Sequence, residues 1–399
     1  MKKTLVAVAA LAATAAFAQV TLSGRANLDI STMGSSGSTV AGTDYATRTR
    51  VADAGSRITF AANEDLGGGM HAGVYCETGI NIDTATANGQ QNNANLNTSE
   101  WCSREGRLVL GNTAVELRLG RQNVWWVQGE INPTGSSYIG TDISSNMFNG
   151  GVGVQGVRLE NMIMLHGNSD LGAFAGSQIY TGYTTGNEVT GALGTTNVQP
   201  KGTYSGFKAL YTAGNLVAQM DYQTATDADT LSNAPNAPSG NTNTTKFDRV
   251  AAKYGLGYKY ATGSIASIQY WNKERTDKSN ANAAFVASGS TAAGRGKDAG
   301  YVINVNHSIT PTMMLVANYA KMDNITDTIT GEIADSGATA YTLGGLYRLS
   351  KRTHVYAAVH NVKNDKNINY GMSGGSYQSF TPANGSTVSI TSLGLQHNF

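Results

Sequence analysis

The sequence is poor in charge, proline and cysteine. Only 14% of its 399 residues are charged, and it contains 6 prolines and 2 cysteines. A soluble protein of this size normally carries about 25% charged residues, so ordinary soluble domains are disfavoured. After residues 5–18, no apolar run approaches the roughly 20 residues that a membrane-spanning helix needs. Basic and acidic residues nearly balance, at 28 against 27, which argues against nucleic acid as a partner.

The amino terminus has the features of a secretory signal peptide. It begins with two lysines, continues with an apolar stretch over residues 5–18, and ends in the small-x-small site Ala16-Phe17-Ala18. The apolar stretch is too short to cross a bilayer as a helix. We therefore predict that residues 1–18 are a cleaved signal peptide and that residues 19–399 form a single domain outside the cytoplasm.

Alternation of apolar and polar residues with a period of two predicts sixteen strands. Short turns of glycine, asparagine and proline alternate with long polar connections at 81–100, 225–246, 277–297 and 365–386. An even number of strands joined in this way indicates an all-β fold, a closed antiparallel transmembrane barrel with short periplasmic turns and long extracellular loops. The predicted strands are 20–31, 56–65, 70–80, 102–111, 114–122, 152–166, 172–183, 204–212, 215–224, 247–261, 264–276, 298–309, 312–323, 338–349, 352–364 and 387–399.

The phase of the alternation predicts which side faces lipid. In the first strand Val20, Leu22 and Ile30 share one side, and Arg25 lies on the other; in the fifth strand, leucines alternate with Glu116 and Arg118 in the same way. We take the apolar side as outward and the polar side as lumenal. The alternative, a soluble β-sandwich, would reverse this polarity. The chain ends on a strand with a terminal aromatic, Phe399, which is typical of an outer-membrane barrel and its assembly.

Several segments resemble the general porin family of Gram-negative bacteria. They are Gly55-Ser56-Arg57-Ile58-Thr59-Phe60, Asn63-Glu64-Asp65-Leu66-Gly67-Gly68-Gly69-Met70, Leu119-Gly120-Arg121-Gln122 and the terminal Phe399. The resemblance covers essentially the whole chain after residue 18. It implies a homotrimer of sixteen-stranded barrels in the outer membrane, each with its third extracellular loop, here residues 123–151, folded into the pore. Small outward residues in the first strands (Gly24, Ala26, Ala62 and Ala72) suit such close contact between subunits.

The resemblance also implies a charged constriction. Arg25, Arg57, Arg104 and Arg158 match the family's basic wall, and Glu130 and Asp142 are the only acids of the loop that would face it. The loop lacks the family's proline-glutamate-phenylalanine-glycine motif, so the choice between the two acids stays open. From alternation we add Arg118 to the basic wall and Glu77 and Tyr75 to the pore lining, and we keep Arg107 as an alternative to Arg104.

Cys76 and Cys102 stand at the two ends of the long connection 81–100, in an oxidising compartment. Hairpin pairing would place them opposite each other and permit a disulfide. The phase opposes this, because Cys102 shares a side with Arg104 if the strand begins at residue 102, whereas Cys76 faces outward. A disulfide between Cys76 and Cys102 is therefore a hypothesis.

We interpret the chain as a general-diffusion porin that passes ions, with mild anion preference, and small polar solutes. Opposed charges across a pore create a transverse field that favours polar solutes. Two alternatives stay open: a substrate-selective channel, with Trp125, Trp126 and Tyr138 as a binding surface, and a barrel that acts mainly as a surface adhesin. We expect outer-membrane lipid and lipopolysaccharide as partners. We expect no enzymatic activity, cofactor or metal, since the glycine-rich run at 151–156 lacks a following helix and the histidines lack metal-ligand spacing.

Overall fold

A computed structural model of the protein describes residues 19–83, 86–87, 101–124, 131, 143, 158–184, 202–228, 246–277, 295–374, 377–380 and 382–399. Sixteen long strands in these ranges form one antiparallel sheet. They are β1 (Gln19–Ser36), β2 (Arg57–Gly67), β3 (Met70–Asn81), β4 (Glu105–Asn112), β5 (Val115–Asn123), β6 (Arg158–Gly167), β7 (Gln178–Thr184), β8 (Gly202–Ala213), β9 (Leu216–Ala228), β10 (Lys246–Ala261), β11 (Ser264–Asp277), β12 (Arg295–Ser308), β13 (Met313–Met322), β14 (Ala338–Arg348), β15 (Thr353–Asn364) and β16 (Thr387–Asn398). Among the helical residues of these ranges, none belongs to a helix long and apolar enough to span a membrane.

The sheet closes on itself because β16 pairs with β1, in a register that runs from Arg25 opposite Asn398 to Ser36 opposite Thr387. The terminal Phe399 extends this ladder. Its amide donates to the carbonyl of Gly24 at 3.1 Å, and its carbonyl accepts from the Gly24 amide at 3.0 Å. Pairing the last strand with the first satisfies the backbone groups that a sheet edge would expose. The predicted closed barrel of sixteen antiparallel strands is confirmed, and the β-sandwich alternative is wrong.

Gly24 is required where β1 meets the end of the chain. A β-carbon at this position would lie 2.3 Å from Cζ of Phe399, so the aromatic ring occupies the space of a side chain. The ring is 45% exposed on the outer side of the barrel. Phe399 therefore joins the two terminal strands through its side chain as well as its backbone.

The two sides of the sheet differ as the alternation predicts. On β1, Ile30 is 56% exposed, whereas Asn27 and Asp29 are buried on the inner side. On β5, the exposed Leu119 alternates with the buried Glu116. Successive side chains of a strand point to opposite sides of the sheet, and the apolar side is the outer one. The predicted phase of both strands is confirmed.

Two predicted strands begin later than expected, and the first and ninth strands extend beyond their predicted ends to Ser36 and Ala228. The strand predicted at 102–111 begins at Glu105, because residues 101–104 form a turn in which Cys102 has a φ of 59°. The strand predicted at 172–183 begins at Gln178, because Ser169–Phe174 form a 3-10 helix in the connection after β6. For the strand predicted at 152–166, residues 151–157 lie outside the described ranges.

The connections at the two ends of the barrel differ in length. The turn between β2 and β3 contains Gly67, Gly68 and Gly69, with φ values of 81°, 61° and 80° that favour glycine. At the other end, Arg48–Asp53 folds back and pairs with the upper part of β1. The long connections also contain the short strands Thr86–Ala87, Thr326–Asp327, Gly331–Glu332, Met372–Gly374 and Tyr377–Phe380.

Residues from three connections lie inside the barrel. Ile143, Ile325, Ile368 and Tyr370 belong to one buried cluster with inward-facing wall residues such as Trp271. From the sequence, only the connection 123–151 is expected to enter the lumen. The connection between β15 and β16 also enters it, because its apolar residues bury their surface against the inner wall.

Candidate functional site

Most arginines of strands β1–β6 lie on the lumenal side of one stretch of wall; the exception is Arg121, which is opposite the outward Gly106. Arg25 on β1 is directly opposite Arg57 on β2 in the pairing register. The next lumenal pair, on β3 and β4, is Glu77 opposite Glu105. Because pairing partners share a side of the sheet, these residues form a continuous charged surface across neighbouring strands.

Glu77 is the centre of this surface. Its Oε1 accepts a hydrogen bond from Nε of Arg104 at 2.6 Å, and its Oε2 lies 3.4 Å from Nε of Arg57. The hydroxyl of Tyr75 donates to the same Oε2 at 3.2 Å. The Glu77 side chain is only 8% exposed. One nearly buried carboxylate thus holds two guanidinium groups and a phenol at the wall, with charge-assisted bonds that are stronger than neutral ones.

A second group extends the surface toward β6. Arg107 forms an ion pair with Glu105, and its guanidinium carbon lies 3.9 Å from the centre of the Tyr75 ring. This distance is typical of a cation–π contact, which fixes the plane of the guanidinium. Arg158 lies within electrostatic range of Glu77 and Glu105.

A third group lies nearer the short turns. Arg118 forms an ion pair with Glu116, and Nε2 of His71 is 3.3 Å from Oε2 of that carboxylate. The side-chain amide of Asn168 donates to Glu116 at 3.2 Å. On the lumenal side of β1–β6 and of the turn before β4, six guanidinium groups stand against five carboxylates, so positive charge remains in excess. The guanidinium groups are those of Arg25, Arg57, Arg104, Arg107, Arg118 and Arg158, and the carboxylates are those of Asp29, Asp65, Glu77, Glu105 and Glu116.

Ile131 marks where the connection 123–151 reaches the opposite wall. Its side chain packs against Leu210 on β8 and Val217 on β9, and its carbonyl accepts a hydrogen bond from Oγ of Ser267 on β11 at 2.7 Å. A β-carbon at Gly255 on β10 would lie 2.6 Å from Cδ1 of Ile131. The inner wall therefore has a fitted place for this residue, which is 1% exposed.

The connection between β15 and β16 is anchored by its own hydrogen bonds. Asn364 donates to the carbonyls of Tyr370 and Ser386, both at 2.9 Å, and its side-chain oxygen accepts from the Tyr370 amide at 2.7 Å. Tyr370 is fully covered, and burial raises the pKa of its hydroxyl well above the usual range. The phenol therefore stays neutral in the lumen at physiological pH.

The structure brings most of the sequence-predicted site residues together. Arg25, Arg57, Arg104, Arg158, Arg118, Glu77 and Tyr75 lie on the lumenal side of β1–β6 or of the turn before β4. Arg104 and Arg107 both belong to the cluster, so they are not alternatives. Glu130 and Asp142, together with Trp125, Trp126 and Tyr138, lie outside the described residues, as does the predicted signal peptide.

Three further residues, Glu116, His71 and Glu105, complete the site although they were not among the predicted site residues. Glu116 and His71 have the lumenal phase of their strands, and the pairing of β3 with β4 and β5 brings them together. The period-two pattern marks both as lumenal without indicating their contact. Glu105 could not be assigned to a side of the sheet, because a strand that starts at residue 102 gives no clear alternation around residues 104–107.

The two cysteine sulfurs are bonded, and the Cα atoms of Cys76 and Cys102 are 4.6 Å apart. Cys76 faces outward, opposite Phe60 on β2 and Gly106 on β4. The objection from phase does not apply, because Cys102 lies in the turn before β4 and not in the strand.

A family model of Gram-negative porins matches residues 4–367 of the chain. The chain belongs to the Gram-negative porin family. The sixteen strands, the closed antiparallel sheet and the lumenal charges are those of a porin barrel. This porin is an outer-membrane diffusion channel.

Solved porins share this fold. The anion-selective porin from Comamonas acidovorans is 21% identical with a TM-score of 0.68, and the match covers 96% of this chain and 100% of that chain. Outer-membrane expressed OmpT of Vibrio cholerae is 12% identical with a TM-score of 0.60, over 96% and 98% of the two chains. The outer membrane channel DcaP of Acinetobacter baumannii is 12% identical with a TM-score of 0.55, over the same shares. No curated protein sequence matches this porin.

Proposed function

We propose that this porin is a general-diffusion channel that passes ions and small polar solutes passively and favours anions mildly. The observation that carries the proposal is the excess of arginine over carboxylate on the lumenal wall of β1–β6. The side chains of Arg57, Arg104, Arg107 and Arg118 are 13–23% exposed, which leaves them in contact with the lumen. A ring or wall of fixed charge raises the local concentration of the opposite ion and selects among solutes.

The field across the pore needs a counter-face. We assign that role to Glu130 and Asp142 of the connection 123–151, and the support is the position of the described residues on either side. Ile131 and Ile143 are both buried, Ile131 against the wall opposite the arginines and Ile143 in the main lumenal cluster. Ile368 and Tyr370 of the last connection are buried in the same cluster as Ile143.

Planar-bilayer recording tests the proposal. A general-diffusion porin should give large conductance steps and, in a salt gradient, a reversal potential of the sign that marks anion preference. Block by a low concentration of one solute would instead indicate a substrate-selective channel, and silence would indicate an adhesin. A clear cation preference would overturn the assigned role of the arginine wall.

We propose that three copies assemble through the outer side of β1–β5. A groove of about 500 Å³ lies there, lined by small and apolar residues such as Ala62, Ala72, Gly73 and Leu108. Small side chains allow close approach of a second barrel, and burial of the exposed leucines would stabilise the contact. One OmpT structure of similar fold is described as a trimer form. Crosslinking in detergent should give a trimer, and a monomer alone would contradict this assignment.

The outer rim near the long loops is charged. Lys297 pairs with Glu274 at 3.3 Å, and Lys321 lies 3.9 Å from Asp323. We propose that this rim faces lipopolysaccharide, whose phosphates suit the exposed lysines. We also infer that the chain has no enzymatic role, which its membership of a channel family supports.

A further inference from the structure

The turn before β4 places a pore charge and also holds the disulfide. Cys102 and Arg104 are two residues apart in this turn, yet the first contacts the outer side of the barrel and the second the lumen. The positive φ of Cys102, at 59°, reverses the chain so that both contacts are made. The connection that precedes the turn is long, and the turn is where it rejoins the sheet.

Among the described residues, the turn is held by the ion pair of Arg104 with Glu77 and by three hydrogen bonds of its backbone. The amide of Cys102 donates to Oγ1 of Thr78 at 2.9 Å, and the amide of Arg104 donates to the carbonyl of Glu77 at 3.0 Å. Nε of Arg121 donates to the carbonyl of Ser103 at 3.1 Å. Each is a single hydrogen bond, worth about 1 kcal/mol net, whereas the bond between the sulfurs is covalent.

The outer side of β4 is shaped to receive Cys102. Gly106 pairs with Cys76 across the sheet, and a β-carbon at Gly106 would lie 2.9 Å from Cβ of Cys102. The glycine thus leaves the space that the bridge fills. Two observations, the bond itself and the vacant side-chain position beneath it, place Cys102 at a defined point of the outer wall.

We propose that the Cys76–Cys102 disulfide is a positioning element of the pore: it fixes the turn that holds Arg104 on Glu77. When the bridge is intact, the guanidinium of Arg104 stays at the lumenal wall and shares the Glu77 carboxylate with Arg57. When the bridge is absent, the turn loses its covalent attachment to β3 and leaves the wall more often. Glu77 then keeps one guanidinium instead of two, and the wall loses positive charge. This role rests on the proposed selectivity of the channel.

The test is a double-mutant cycle measured by reversal potential in a salt gradient. The channels are the wild type, Arg104→Gln, the pair Cys76→Ser with Cys102→Ser, and the combination of all three substitutions. We expect the serine pair to shift the reversal potential toward cations by nearly as much as Arg104→Gln. In the Arg104→Gln background, the serine pair should produce almost no further shift. Full additivity, or a serine pair indistinguishable from wild type, would overturn the positioning role.

A second measurement tests the proposal even if the variant with both cysteines replaced by serine does not assemble. The folded wild-type channel is reduced with a phosphine while it is in the bilayer. The Arg104→Gln channel, which keeps both cysteines, receives the same treatment. Alkylation and mass measurement of the recovered protein verify that both thiols have been released. The wild type should shift and the Arg104→Gln channel should not; equal shifts, or none in either, would contradict the proposal.

The cycle separates this inference from the proposed anion preference. The sign of the wild-type reversal potential tests the anion preference alone. The positioning role depends only on whether removal of the bridge and removal of the arginine produce the same non-additive shift. If the wild type prefers cations but still shows the non-additive shift, the proposed anion preference is wrong and the positioning role of the disulfide stands.

Discussion

The lumenal wall of β1–β6 and the lumenal wall of β9–β12 both carry paired charges, but the two walls expose them differently. The arginines that pair with Glu77 are 19% and 23% exposed. On β9–β12, Lys253 with Asp221 and Lys273 with Asp298 form ion pairs at 3.2 Å in which no side chain is more than 3% exposed. The first wall faces the lumen, and the second is covered.

The difference assigns distinct physical roles to similar residues. Partly exposed charges act on passing ions at a low cost in solvation, because water still reaches them. Fully covered charges have lost their hydration and persist only if their partners remain in place. We infer that the arginine wall sets selectivity, whereas the covered lysine pairs support the connections that pack inside the barrel. Each of the variants below alters one side of this contrast.

The largest effect on stability should come from breaking a covered pair. Lys273→Met leaves Asp298 buried without its ammonium partner, which typically costs about 3–5 kcal/mol. We expect a clear fall in the temperature at which the folded barrel loses its heat-modifiable gel mobility. The matched control replaces both partners, as Lys273→Met with Asp298→Leu, and should recover most of the loss. Equal stability of the single variant and wild type would show that the pair is hydrated.

The largest effect on selectivity should come from Glu77. Glu77→Gln removes the carboxylate that neutralises Arg57 and Arg104, so the wall becomes more positive and anion preference rises. Arg57→Gln should shift the reversal potential in the opposite direction. Arg57→Gln should keep its gel mobility near that of wild type, because the Arg57 side chain is partly exposed and Glu77 retains Arg104 as a partner. Shifts of the same sign in the two variants would remove the electrostatic account of the wall.

The first wall follows from the sequence more readily than the second. Alternation places Arg25, Arg118 and Glu77 on the lumenal side, since the pleat fixes the side of every residue in a strand. The contact of Glu77 with Arg104 needs the register between strands and a turn with a positive φ at Cys102. Neither can be deduced from alternation alone.

The packing on the covered wall involves residues that are far apart in the sequence. Ile131 meets Ser267 only because the barrel closes and a connection enters it. A lumenal lysine such as Lys273 shows the same sequence pattern whether it faces water or a packed loop. Tertiary packing decides that question, so the sixteen strands and their phase were predictable whereas the filling of the lumen was not.

A smaller effect should follow from loosening the contact of Ile131 with the covered wall. Ser267→Ala removes the hydrogen bond to the Ile131 carbonyl, at a cost of about 1 kcal/mol. The connection would then leave its place on β11 more often, and single-channel traces should show more open-channel noise at unchanged ion selectivity. Ser389→Ala serves as the control for loss of a strand hydroxyl that does not contact the connection: it lies on the outer side of β16 and accepts a hydrogen bond from Asn361 at 2.8 Å. Identical noise in the two variants would mean that the Ser267 bond does not hold the connection.

The smallest effect should come from Lys321, whose amine lies 3.9 Å from Asp323 with both side chains about half exposed. Exposed pairs of this kind contribute about 0–1 kcal/mol, because water and salt already solvate both charges. Lys321→Ala should therefore change neither the gel mobility of the barrel nor its reversal potential. The variant measures how much a lysine contributes when it has no covered partner. A stability loss close to that of Lys273→Met would show that exposure does not distinguish the two kinds of charge pair, and the contrast between the walls would lose its physical basis.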